Sequence, residues 1–131
     1  MYIGITMKEL TKAEEQIMHV LWELGKGFVK DIIAHLPDPK PATTTVSTIV
    51  RILENKGFVS HMAYGKTYEY FPLVSKEEYT KLFMRNFVKN YFSDSYQEMV
   101  SFFAGDKKLS VSELEELKKI ISEEIQKQKK D

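Results

Sequence analysis

Two β-rich runs, Phe58-Val59-Ser60-His61-Met62-Ala63 and Thr67-Tyr68-Glu69-Tyr70-Phe71, flank the glycine turn Tyr64-Gly65-Lys66, which is the pattern of a β-hairpin. An isolated two-stranded hairpin is marginal in water, so it must lie on other elements, and the chain before it supplies three helical segments. Thr11 and Glu14 have the spacing of a capping box, and Ile17, Val20, Leu21 and Leu24 recur at helical intervals up to Gly25 and Gly27, which end the first helix. A second, short helix is expected over about residues 29–36. It buries Ile32, Ile33 and Leu36 and stops at Pro37-Asp38-Pro39-Lys40-Pro41.

The third segment, Thr43 to Gly57, is rich in β-branched threonine, which disfavours helix mildly. Periodicity decides for helix. Val46, Ile49, Val50 and Leu53 share one face, Thr43 or Thr44 supplies an N-cap hydroxyl, and Asn55-Lys56-Gly57 closes the segment. Thr44, Thr45, Ser47, Thr48 and Arg51 then form a polar stripe on the other side. Three helices followed by a hairpin is the order of a winged helix-turn-helix unit, here expected over residues 1–74. Met7 offers an alternative start that would leave residues 1–6 outside the working chain.

The remainder, residues 75–131, reads as helical again. Ser75 and Glu78 make a second capping box, followed by Tyr79, Leu82, Phe83, Phe87, Val88 and Tyr91. Ser93-Asp94-Ser95 breaks the helix, a short one carries Tyr96, Met99, Val100 and Phe103, and Gly105-Asp106 breaks it again. A last helix begins with a capping box at Ser112 and Glu115 and puts Leu114, Leu117, Ile121 and Ile125 on one face. So small a segment holding half of the aromatic side chains cannot bury them alone. A symmetric second copy is the simplest cover, using Tyr79, Phe83, Phe87, Tyr91, Tyr96, Leu114, Leu117 and Ile121; folding back onto the first unit is the alternative. The fold class is therefore mainly α, with a small β-hairpin wing on a winged helix-turn-helix and a helical dimerisation region after it.

The chain's chemistry excludes more than it offers. Without cysteine there is no disulfide, thiolate metal site or cysteine nucleophile, which favours a cytoplasmic address. No apolar run approaches the roughly 20 residues of a membrane span, and the N-terminus has no signal-peptide pattern. His19, His35 and His61 fall on different elements with no metal-ligand spacing. Gly65-Lys66-Thr67 imitates the end of a phosphate-binding loop, but Ser60 stands where that loop needs glycine and a strand follows where a helix must begin. The Glu-Glu pairs lie at helix starts or on solvated faces. No catalytic site, metal or cofactor is expected, and the protein is not expected to be an enzyme.

Nineteen basic residues balance nineteen acidic ones, so any nucleic-acid binding must use a local patch. Between residues 40 and 70, Lys40, Arg51, Lys56 and Lys66 outnumber Glu54 and Glu69. Hydroxyl side chains on the third helix suit base edges in a major groove. Arg51 on that helix and Lys66 at the hairpin tip suit phosphates. An ordinary solvated helix face is the competing interpretation.

Leu10-Thr11-Lys12-Ala13-Glu14, Met18 and Trp22, Thr45-Val46-Ser47-Thr48, Lys56-Gly57-Phe58-Val59 and Tyr68-Glu69-Tyr70 resemble the penicillinase and methicillin-resistance repressors of the BlaI/MecI/CopY type, from Leu10 to about Glu124. The resemblance implies a winged-helix repressor that binds a double-stranded DNA operator as a homodimer, its C-terminal helices forming the dimer. It carries DNA-facing roles onto Thr44, Thr45, Ser47 and Thr48, with Arg51 and Lys66 as phosphate contacts. It departs at Ser47, where the family has a basic or larger polar residue, and at Ile52, where it has arginine before the leucine. It also implies inactivation by a cut at Ser101-Phe102 through a membrane sensor-protease pathway, and the missing cysteines exclude the metal site of copper-responsive members. The alternatives are a winged-helix protein-interaction module without DNA, and a ligand-gated repressor whose pocket is lined by Tyr79, Phe83 and Tyr96.

Overall fold

The computed structural model describes residues 8–130; the expectation about residues 1–6 and the start at Met7 lies outside them. The elements run α1 (Lys12–Leu24), β1 (Gly27–Phe28), α2 (Val29–Ala34), α3 (Thr43–Asn55), β2 (Val59–Tyr64), β3 (Thr67–Pro72), α4 (Lys76–Phe92), α5 (Tyr96–Ala104) and α6 (Val111–Lys130). The chain divides into two compact units between Met84 and Arg85. The architecture is mainly helical with one small antiparallel sheet, a winged helix followed by a helical region.

In the first unit α1, α2 and α3 pack around one core with the hairpin. Ile17, Met18, Val20 and Leu21 of α1 meet Ile32, Leu36, Val46, Val50, Leu53, Phe58, Val59, Tyr70 and Val74, and Tyr79 and Leu82 from the start of α4 complete the cluster. Burying each such side chain contributes roughly 1.5–3 kcal/mol, against at most about 0.7 kcal/mol of helix propensity lost at any one threonine. Burial of Val46, Val50 and Leu53 therefore settles α3 as a helix. Thr48 Oγ1 donates to Thr44 O at 2.9 Å, absorbing a hydroxyl that would otherwise compete with the helix backbone.

Caps and turns show where sequence signals succeed and fail. Thr11 and Glu14 form the capping box, Thr11 N–H donating to Glu14 Oε1 at 2.9 Å and Glu14 N–H to Thr11 Oγ1 at 3.2 Å, and Ser75 and Glu78 form another. The third box is Ser110–Glu113 rather than Ser112–Glu115; α6 starts at Val111, and both pairs satisfy the same spacing rule. The N-cap of α3 is Ala42 with no side-chain cap, so Thr43 and Thr44 are already helical. Gly25, at φ +84°, does end α1. Gly27 instead opens β1, which pairs with β3 in the register Gly27↔Tyr70 and Phe28↔Glu69. The hairpin thus belongs to a three-stranded sheet of order β1-β3-β2.

The second unit holds the later part of α4 with α5 and α6. Ser95 caps α5, its Oγ accepting from Glu98 N–H at 3.0 Å. Phe87, Tyr91, Phe92 and Phe102 form a chain of ring pairs at 5.1–5.7 Å. Neither α5 nor α6 contains a buried residue, and an apolar groove of about 270 Å³ runs along Val100, Phe103, Leu114, Leu117 and Ile121.

Candidate nucleic-acid interface

The solvent face of α3 is built by elimination: with Val46, Val50 and Leu53 turned inward, Thr44, Thr48 and Arg51 fall at i, i+4 and i+7 along the opposite side. Thr45 and Ser47 flank that stripe. Arg51 is anchored to its own helix, Nε donating to Ser47 O at 3.3 Å. Lys66 stands in the turn between β2 and β3, where Gly65 adopts φ +62°, the left-handed backbone that glycine tolerates best.

The β1–β3 pairing brings a third element against these two. Phe28 N–H donates to Asp31 Oδ2 at 3.0 Å, fixing the step from β1 into α2 and setting Lys30 on the rim. The result is a concave cavity of about 630 Å³ lined by Phe28, Val29, Lys30, Thr43, Ser47, Arg51, Lys66, Thr67, Tyr68 and Tyr70. Among the described residues no acidic side chain lines it. Of the expected residues, Ser47, Arg51 and Lys66 meet around this cavity, while Thr44, Thr45 and Thr48 lie on α3 outside its lining. Sequence reasoning missed Lys30, Thr43 and Tyr68. A two-residue strand leaves no alternation to detect, so the signal that could have found Lys30 was too short.

Local electrostatics explain how a chain of zero net charge presents a basic surface. Glu54, on the flank of α3, is held by His61 Nδ1 at 2.7 Å, and Glu69 faces Lys26 Nζ at 3.9 Å. Both acids of the segment are thereby engaged, whereas Lys30, Arg51 and Lys66 have no carboxylate within 4.0 Å among the described residues. His61 also stacks on Tyr68 with centroids 4.1 Å apart and ring planes 15° apart, so Glu54, His61 and Tyr68 tie helix to hairpin. Burial raises the Tyr70 phenol above its ordinary pKa, Glu54 adding to the rise and Arg51 opposing it; the ring meets the cavity as a neutral group.

Away from this face, Glu14 is buried at 5% exposure and accepts two bonds from Lys56 Nζ at 2.9 Å each. Burial alone would raise its pKa. The bonds from Lys56 and the Thr11 backbone outweigh that and hold it below the usual carboxylate value. Tyr79 belongs to the first unit's core, its hydroxyl accepting from Leu10 N–H at 2.8 Å. Among the described residues no cluster of histidine and carboxylate side chains has the geometry to hold a metal ion, and no helix is long and apolar enough to cross a membrane.

A three-helix core, a winged sheet and a polar, basic face on the third helix define the winged helix-turn-helix class. Residues 10–123 match the penicillinase repressor family, and the chain belongs to that family of transcriptional repressors, which are not enzymes. Among its relatives, the methicillin resistance regulatory protein MecI of Staphylococcus aureus (strain N315) is 25% identical over 115 residues, 87% of this chain and 94% of the relative. The penicillinase repressor of Bacillus licheniformis is 24% identical over 116 residues, covering 88% and 91%.

Proposed function

We infer that this repressor acts in the cytoplasm as a homodimer on double-stranded operator DNA, placing α3 of each subunit in the major groove and the β2–β3 turn on the flanking backbone. The observation that carries this is the acid-free face on which Ser47, Arg51 and Lys66 converge beside the hydroxyls of Thr44, Thr45 and Thr48. Hydroxyls and guanidinium meet base edges and phosphates, while lysines at the rim contribute sequence-independent attraction. Paired half-sites should lie about 34 Å apart or at a multiple of that spacing.

Dimerisation draws support from the second unit. Tyr91 is 73% exposed and Phe102 74%, and Tyr96, Ile120, Ile121 and Ile125 are also open. Exposed apolar surface on that scale marks an interaction face. Phe87, Leu114 and Leu117 are partly open side chains of the same kind; Phe83, 40% exposed, belongs to the first unit's stretch of α4, and Tyr79, being core, contributes to the interface only through the helix it anchors. Ser101 and Phe102 lie in α5, so a cut at that bond by a membrane-sensor protease pathway would break this face and leave monomers holding single half-sites.

The decisive experiment is fluorescence anisotropy with duplex from the protein's own upstream region, in parallel with sedimentation. Binding that needs the dimer and weakens in Arg51→Ala supports the proposal. A dimer that binds no duplex at low salt refutes it and leaves a protein-interaction module.

A further inference from the structure

The cavity between α3, β1 and the hairpin has a feature that duplex backbone does not use. Its rim carries Lys30, Arg51 and Lys66, and its wall carries Tyr68 and Tyr70, two residues apart on one face of β3. Phosphates engage the rim alone. An aromatic wall of this kind suits a planar ring, by stacking or edge contact, and a volume of about 630 Å³ lies within the range of about 300–1,000 Å³ typical of small-molecule sites. The wall is also preformed. Tyr68 is stacked on His61 at 4.1 Å and meets Tyr70 edge-on at 6.4 Å, and the strand that carries both tyrosines is paired on either side, with β1 and with β2. Preformed walls reduce the ordering cost of binding.

The geometry points to a binding site for a small aromatic anion, a planar ring bearing a phosphate or carboxylate, seated with its ring against the tyrosines and its charge among Lys30, Arg51 and Lys66. Because those cations also belong to the proposed duplex face, an occupied site and a bound duplex exclude one another. This last consequence rests on the DNA-binding proposal; occupancy itself does not.

The test uses the full chain without DNA and three probes: 1-naphthyl phosphate, 1-naphthol and inorganic phosphate, followed by backbone amide chemical shifts. The expected result is that 1-naphthyl phosphate binds at least about tenfold tighter than either of the others, with shifts centred on Ser47, Lys66 and Thr67. Lys30→Ala/Lys66→Ala, at two rim positions, should weaken it by about tenfold and leave 1-naphthol within about twofold. Equal binding of phosphate and naphthyl phosphate, shifts centred elsewhere, or no saturation by about 10 mM would overturn the site. Saturating duplex should then raise the probe's Kd at least about fivefold, and an unchanged Kd would overturn the shared face. If duplex never binds, the proposed function fails while the probe titration still decides this site.

Discussion

Replacing Lys56 with methionine removes the partner of a carboxylate that is 5% exposed and keeps most of the apolar stem. Glu14 loses both 2.9 Å bonds from Nζ and retains the one from Thr11 N–H. Breaking a fully buried ion pair costs about 3–5 kcal/mol. The Lys56 side chain is 30% exposed, so water reaches the vacated side and the expected cost falls to about 2 kcal/mol. In a unit of this size that corresponds to a Tm lower by roughly 8–16 °C. The pH dependence has a definite sign. In the wild type the folded pKa of Glu14 lies below 4.5, so the pair's stabilisation is complete above that value and is lost as pH falls through the folded pKa. In the variant, burial acts unopposed by Lys56 and raises the folded pKa, so the penalty grows as pH rises past about 4.5. Urea unfolding read by Trp22, at intervals from pH 3.5 to 7, measures both curves. A penalty under about 0.5 kcal/mol at pH 7, or one equal at both ends of the range, would mean that stem packing rather than charge holds Lys56 in place.

Lys30→Ala, Arg51→Ala and Lys66→Ala should each flatten the slope of log K against log salt by about 0.9 for every phosphate that is no longer neutralised, hence by nearly two for a homodimer, in anisotropy titrations from 50 to about 200 mM salt. Thr48→Val should narrow the ratio of operator to random-duplex affinity by about tenfold with an unchanged salt slope. Tyr91→Asp, at an open position, should raise the dimer dissociation constant at least about tenfold by sedimentation while the melting of the first unit stays put. Tyr79→Phe leaves Leu10 N–H without its partner and should cost about 1–2 kcal/mol in urea unfolding.

Much of this fold is legible in the sequence because its determinants are local. The Thr11–Glu14 and Ser75–Glu78 boxes and the Gly25 and Gly65 turns each act within a few residues, and the buried stripe of α3 repeats often enough to outvote threonine propensity. What stayed hidden depends on partners distant in sequence. Gly27 and Phe28 form a strand only because Tyr70 and Glu69 lie opposite them, and Lys30 reaches the cavity for the same reason. Tyr79 follows a helical period that fits an intersubunit face equally well, and its contacts with Leu10, Trp22 and Phe58, all distant in sequence, assign it to the core. Charge was misleading in the other direction: the overall balance conceals that Glu54 and Glu69 are tied up by His61 and Lys26.

The division of labour around α3 bears on how such a repressor diversifies. Thr44, Thr48 and Arg51 face outward, Val46, Val50 and Leu53 face the core, and Glu54 reaches sideways to the hairpin. Three tasks therefore occupy three separate sectors of one short cylinder. On the proposed duplex-reading role of the outward sector, substitutions there would retarget the molecule to a new promoter while leaving both its melting point and the tilt of its wing intact, so new regulatory circuits would arise from a handful of codon changes.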